Sequence, residues 1–153
     1  MYCKILLFFL VSLNTGIGDC NLETLRTEFD TLDTKEELHQ FLDKYGSVGC
    51  EAVVPYVAAA TMQRAKYAFL PTKKWHYFVK GRNQLENYIK SNPGSVEAHY
   101  VRLMVQTSIP WFLGYRDHIE SDVEFIRNNI ESSDLPEDYK GLILYDVNNL
   151  NLN

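Results

Sequence analysis

The stretch Lys73–Tyr115, KKWHYFVKGRNQLENYIKSNPGSVEAHYVRLMVQTSIPWFLGY, decides the fold. Trp75, Phe78, Val79, Arg82, Leu85, Glu86 and Ile89 recur at the spacing of one helix face over almost four turns. Lys73, Lys74, Lys80 and Lys90 fall mostly off that face. Asn92-Pro93-Gly94-Ser95 is a strong turn signal, and Ser95 is placed to cap the helix that follows. In that helix Ala98, Val101 and Val105 mark one face, and Tyr100, Leu103, Met104 and Thr107 mark another. Apolar residues on two faces predict a helix with neighbours on both sides. Arg102 is the exception inside it, its stem expected buried and its guanidinium wet or paired. Ser108–Tyr115 is too apolar for a free loop and too broken for a helix. Trp111, Phe112 and Leu113 are expected to plug the core at a corner; the alternative is an exposed contact patch.

The flanking sequence repeats this grammar. Leu22, Leu25, Phe29 and Leu32 fall at helical spacing, with Asp19 or Asn21 as caps. Thr34 and Glu37 fit a capping box ahead of the stripe Leu38, Phe41, Leu42, Tyr45, and Gly46 stands where a left-handed C-terminal residue belongs. Residues 51–69 read as a helix rich in alanine with Pro55 in its first turn, central in the bundle because small side chains admit close neighbours. Leu70-Pro71 ends it, and Thr72 is expected to cap the next. Gly81 inside that next helix predicts close helix contact. Ile119, Val123, Ile126 and Ile130 form a further stripe. Asp134–Glu137 reads as another capping box before a final helix using Tyr139, Leu142, Ile143 and Leu150. The expectation is an all-α protein of about seven helices, built as antiparallel hairpins because the links are short.

At 153 residues, with 46% hydrophobic and 23% charged side chains, the chain suits one globular domain rather than a disordered segment. Lys4 followed by the uncharged run Ile5–Leu13, with Gly16 and Gly18 beyond, has the pattern of a secretory signal over residues 1–18. That leaves 19–153 as a single helical domain, exported to a periplasmic or secreted location, with no later run apolar enough to span a membrane. Lipid anchoring at Cys20 is the less favoured alternative, because Asp19 sits where a lipobox has a small residue. Cys20 and Cys50 then either pair as a disulfide or remain free thiols.

Charge is segregated along the chain. Residues 19–50 carry a net −5, residues 51–105 a net +5 and residues 106–153 a net −6. A basic middle between acidic ends argues for complementarity within the chain or with a partner, and against nucleic-acid binding.

Two resemblances attach to the central stretch. Residues 62–95 resemble a divergent tetratricopeptide repeat, whose period is about 34 residues. Gly81, Leu85 and Pro93 match the small, bulky and proline positions of its second helix and exit. The first helix lacks the usual Trp and Gly-Tyr signature, and Tyr88 stands where a small residue is expected. More broadly, KYAFLPTKKWHYF (66–78) and VEAHYVRLMVQTSIPWFLGYRDHIESDVEFI (96–126) are similar to an uncharacterised family of small exported helical bacterial proteins. That resemblance implies helical architecture and export, and it carries over no functional residue.

Catalytic and cofactor signatures are missing from the sequence. His39, His76, His99 and His118 are scattered, with no zinc, nucleophile-elbow, phosphate-loop or dinucleotide motif. His118 and Asp122 share a helix face at i and i+4, a spacing that suits a metal but more commonly marks an acidic first turn. No cofactor and no metal are expected. Two functional classes fit. The first is an interaction module that binds a protein or peptide in the cell envelope, with Trp75, Tyr77, Arg82, Arg102, Trp111, Phe112 and Tyr115 as candidate contact residues. It predicts a concave basic surface near residues 64–102. The second is a small-ligand binder or enzyme with a pocket lined by His99, Tyr100 and Arg102.

Overall fold

A computed structural model describes residues 20–150. The predicted signal segment, residues 1–18, lies outside the described residues, as does the end of the Asn-rich tail. Among the described residues there are seven α-helices and no strand: α1 (Leu22–Asp30), α2 (Lys35–Tyr45), α3 (Val54–Tyr67), α4 (Pro71–Ser91), α5 (Val96–Ser108), α6 (Ile119–Asn129) and α7 (Glu137–Asn149). Short 3-10 turns at Glu51–Val53 and Trp111–Leu113 precede α3 and follow α5.

Local chemistry sets most helix starts. The Asn21 side chain accepts from Thr24 N at 2.9 Å to begin α1. At α2 the box closes in both directions, with Thr34 Oγ1 accepting from Glu37 N and Glu37 Oε2 accepting from Thr34 N at 2.9 Å. Ser95 Oγ accepts from Ala98 N and starts α5. Three expectations are corrected. Thr72 does not cap α4: Pro71 is itself in the first turn, and Leu70, held extended by the following proline, is the N-cap. The Asp134 box does not form, because Pro136 takes the extended cap conformation and α7 begins at Glu137, two residues later than the box requires. Gly46 stays right-handed at φ −66, its N–H continuing the helical ladder to Leu42.

Helix α3 is the centre of the bundle. Ala58, Ala59 and Ala60 are at most 1% exposed, and their small side chains let α4 approach closely. A Cβ on Gly81 would overlap the Ala58 carbonyl and stand 2.6 Å from Met62 Cγ, so only glycine fits that crossing. Tyr77, early in α4, lies 4.5 Å under the Arg64 guanidinium late in α3. Gly81, a turn further on, meets residues earlier in α3, so the two helices run in opposite directions.

Two apolar clusters form, and α5 divides them. Ala98 and Val101 join the cluster built on α1–α4, whereas Val96, Tyr100 and Leu103 join that of α6 and α7. The two-faced pattern read from α5 is therefore its structural role. Cys20 and Cys50 form a disulfide with Cα atoms 6.3 Å apart, joining the chain just before α1 to the chain just before the Glu51–Val53 turn.

Candidate functional site

A helix buried on both faces has no wet side for polar residues, yet α5 carries Glu97, His99, Arg102 and Gln106, all 8% exposed or less. Burial of such groups is tolerated when each is paired, as Glu97, His99 and Arg102 are and Gln106 is not. Arg102 grips Asp122 of α6 with two bonds, Nε to Oδ2 at 2.8 Å and Nη2 to Oδ1 at 2.6 Å, and donates from Nη1 to Glu86 Oε2 of α4 at 2.8 Å. The His99 ring bridges Asp122 Oδ1 at 2.6 Å and the Pro93 carbonyl at 3.2 Å, and stacks on Phe125 with centroids 4.0 Å apart. Burial alone would raise the Asp122 pKa, but the bonds and charges of Arg102 and His99 prevail and hold it below the usual carboxylate value.

A second seam joins α1, α3, α5 and α7. Arg26 Nε meets Glu97 Oε1 at 2.6 Å, and Tyr56 donates its hydroxyl to the same oxygen. The Tyr56 and Tyr139 hydroxyls are 2.7 Å apart, and the Arg26 guanidinium lies 4.1 Å from the Tyr139 ring centre. Burial first, then the Glu97 charge, pushes the Tyr56 phenol far up.

The first network suspends the corner. Tyr115 is 5% exposed and donates its hydroxyl to Glu86, the carboxylate that also receives Arg102. Its ring meets Phe78 edge-on at 6.1 Å. Phe78 in turn lies 6.0 Å from Trp75. The expected core plug is thus corrected. Trp111 is 77% exposed and Phe112 69%, while Leu113, partly buried, and Tyr115 pack inward. The reason is the geometry of the turn: Gly114 at φ +60 reverses the chain, so the residues on either side of it face the core and the two before them face out.

The candidate contact residues therefore separate by position. Trp111 and Phe112 meet edge-on at the exposed corner, with ring centres 6.2 Å apart, and Trp75 adjoins it through Phe78, which packs on Tyr115; Tyr115 and Arg102 support it from the buried side. The Arg82 guanidinium stands 5.8 Å from the Tyr115 ring at its edge, and Tyr77 faces α3 instead. Phe69, 94% exposed, and Leu70, 48% exposed, stand in the α3–α4 link a few residues before Trp75, where no sequence pattern marks them. Glu86 and Asp122 are further parts of the support that sequence reasoning misses. A signal for them is present, since both sit on otherwise apolar stripes.

The other candidate chemistry does not assemble. His118 is exposed while Asp122 is fully buried on Arg102, and no group of residues able to hold a metal occurs among the described residues. Arg102 and His99 are committed to protein partners, and Tyr100 donates to Asp146. Two surface grooves, of about 280 and 270 Å3, lie between α1 and α2 and beside the disulfide. Neither is lined by His99, Tyr100 or Arg102, nor by any residue from 64 to 102. No protein-family model, curated protein or solved structure matches this chain.

Proposed function

We propose that the protein is an exported interaction module of the cell envelope, working by contact through the corner formed by Trp75, Trp111 and Phe112. The observation that carries this is the exposure of Trp111 and Phe112 on a rigidly supported turn. Large aromatics left in water cost solvation free energy, and clustered exposure of this kind marks contact surfaces. Tyr and Trp anchors are also the side chains most enriched where binding energy concentrates.

Export is supported by the predicted signal segment and by the Cys20–Cys50 disulfide, a bond favoured in oxidising compartments. A sulfur held in a disulfide has no valence for a lipid thioether, which argues for a form without a lipid on Cys20. The hairpin of α3 and α4, with α5 packed against it, supports the reading of a tetratricopeptide-like helical arrangement.

The test is retention by the envelope. Trp111→Ser with Phe112→Ser, made in the full chain, should release the protein from isolated envelope while its circular dichroism and melting temperature hold. Retention equal to the unaltered protein would overturn the assignment of the corner as a contact surface.

A further inference from the structure

We propose that this corner docks on the surface of an anionic lipid bilayer, with Phe69, Trp75, Trp111 and Phe112 entering the headgroup region. The inference rests on the reading of the corner as a contact surface and adds what the surface meets. Its first support is charge. From Ala52 to Leu85, a run of 34 residues, the chain has no acidic side chain and six basic ones. Of these, Lys66, Lys73, Lys74 and Lys80 are exposed and bracket Phe69 and Trp75 in sequence. On the other arm of the corner Arg116 is exposed too. The carboxylates in this neighbourhood are Glu86, which is held by Tyr115 and Arg102, Asp117, next to Arg116, and Asp33, whose backbone carbonyl accepts from the Tyr67 hydroxyl.

The second support is shape. A peptide ligand is held in a groove or along a strand edge, and the grooves between α1 and α2 and beside the disulfide lie elsewhere. What the corner offers is the exposed edge-on pair Trp111 and Phe112, with ring centres 6.2 Å apart. A bilayer interface accepts such a pair without a matching cavity. Tryptophan and phenylalanine partition to the headgroup level, and lysines behind them meet lipid phosphates. The third is rigidity. The turn is closed by Leu113 N to Pro110 O at 3.1 Å and Gly114 N to Trp111 O at 3.2 Å, and Tyr115 is tied to Glu86. The pair is thus held out before any surface is met. No described helix is long and apolar enough to cross a membrane, so attachment by the folded domain would be at the surface.

The chain contains two tryptophans, Trp75 and Trp111, and both belong to the corner, so their emission reports on it alone. The full chain is titrated with vesicles of phosphatidylcholine, with and without phosphatidylglycerol. Expected is a blue shift, quenching by lipids brominated in the acyl chains, and partitioning about tenfold or more stronger when phosphatidylglycerol is present. Lys73→Glu with Lys74→Glu should remove that preference. Trp111→Phe should leave a weaker shift from Trp75, and Phe112→Ser should weaken partitioning by about tenfold.

Vesicle binding that leaves the tryptophans unshifted and open to iodide would mean another part of the chain binds, and overturns the proposal. A shift that grows with protein concentration and needs no lipid would assign the corner to a second copy. If vesicles are inert but envelope retention is still lost in the Trp111→Ser, Phe112→Ser variant, the partner is a protein. In that case the lipid assignment falls and the contact surface stands. If retention is also unchanged, both fall.

Discussion

At the scale of single residues, burial decides which side chains matter to stability. Asp122 is fully buried and held by Arg102 and His99. Arg102→Met leaves that carboxylate, and part of Glu86, without a counter-charge, so a loss of about 3–5 kcal/mol is expected in urea denaturation. Gly81→Ala has two opposed effects. Helix propensity improves by about 1 kcal/mol, but the new methyl overlaps the Ala58 carbonyl. Displacing a backbone at a close crossing is the larger effect, and a net loss of about 1–2 kcal/mol should appear in the same assay. Gln106 is the reverse case. Its amide is fully buried with no hydrogen-bond partner among the described residues. Gln106→Leu removes two unpaired polar atoms at similar volume, and a gain of about 1 kcal/mol is the expected result.

At the scale of elements, the corner and the disulfide give contrasting expectations. Trp111→Ser and Phe112→Ser should each change stability by no more than about 0.5 kcal/mol, as for other exposed positions. A core plug would cost about 3–5 kcal/mol on truncation, so one thermal melt of each variant separates the two pictures. Pro110, Trp111, Phe112 and Leu113 are uniformly apolar in sequence, and nothing local says which of them face in. The outcome depends on the reversal at Gly114 and on Phe78 and Glu86 receiving Tyr115. Those two residues are far from Tyr115 in sequence. The disulfide closes a loop between residues 30 apart, so its reduction should lower stability by about 2–4 kcal/mol, read as a shift of the urea midpoint.

Across the whole molecule, the buried networks set the response to pH. The folded pKa of Asp122 is lowered, burial being outweighed by Arg102 and His99. Its contribution is therefore present above its unfolded value of 3.8 and is lost as pH falls through the lower folded value. Asp122→Asn should be less stable at neutral pH and show a shallower acid limb. At the alkaline end the sign is opposite. Tyr56, Tyr100, Tyr115 and Tyr139 have raised pKa values, burial being the first cause in each, followed by Glu97, Asp146 or Glu86 for the first three. Their contribution is complete below the unfolded value of 10 and declines above it, as phenols in the unfolded chain ionise and those in the fold do not. Absorbance at 295 nm should show these four ionising only as the protein unfolds.

The sequence by itself determined the helices, because their causes are local: periodic apolar stripes, the caps Asn21, Thr34 and Ser95, and the Asn92–Ser95 break act within a few residues of one another. It also determined that α5 would be covered on two sides, since both stripes are written in one segment. Only the tertiary structure decided which polar residues meet and which aromatics stay in water. Glu86, Arg102, Asp122 and Tyr115 form one network although they belong to separate segments. A pattern of spacings within a helix carries no information about the neighbour that will receive its exceptional residue. For the same reason Trp111 and Phe112, apolar enough for any core, were left outside: the place beneath the corner was taken by Tyr115, whose hydroxyl reaches Glu86 while its ring packs on Phe78.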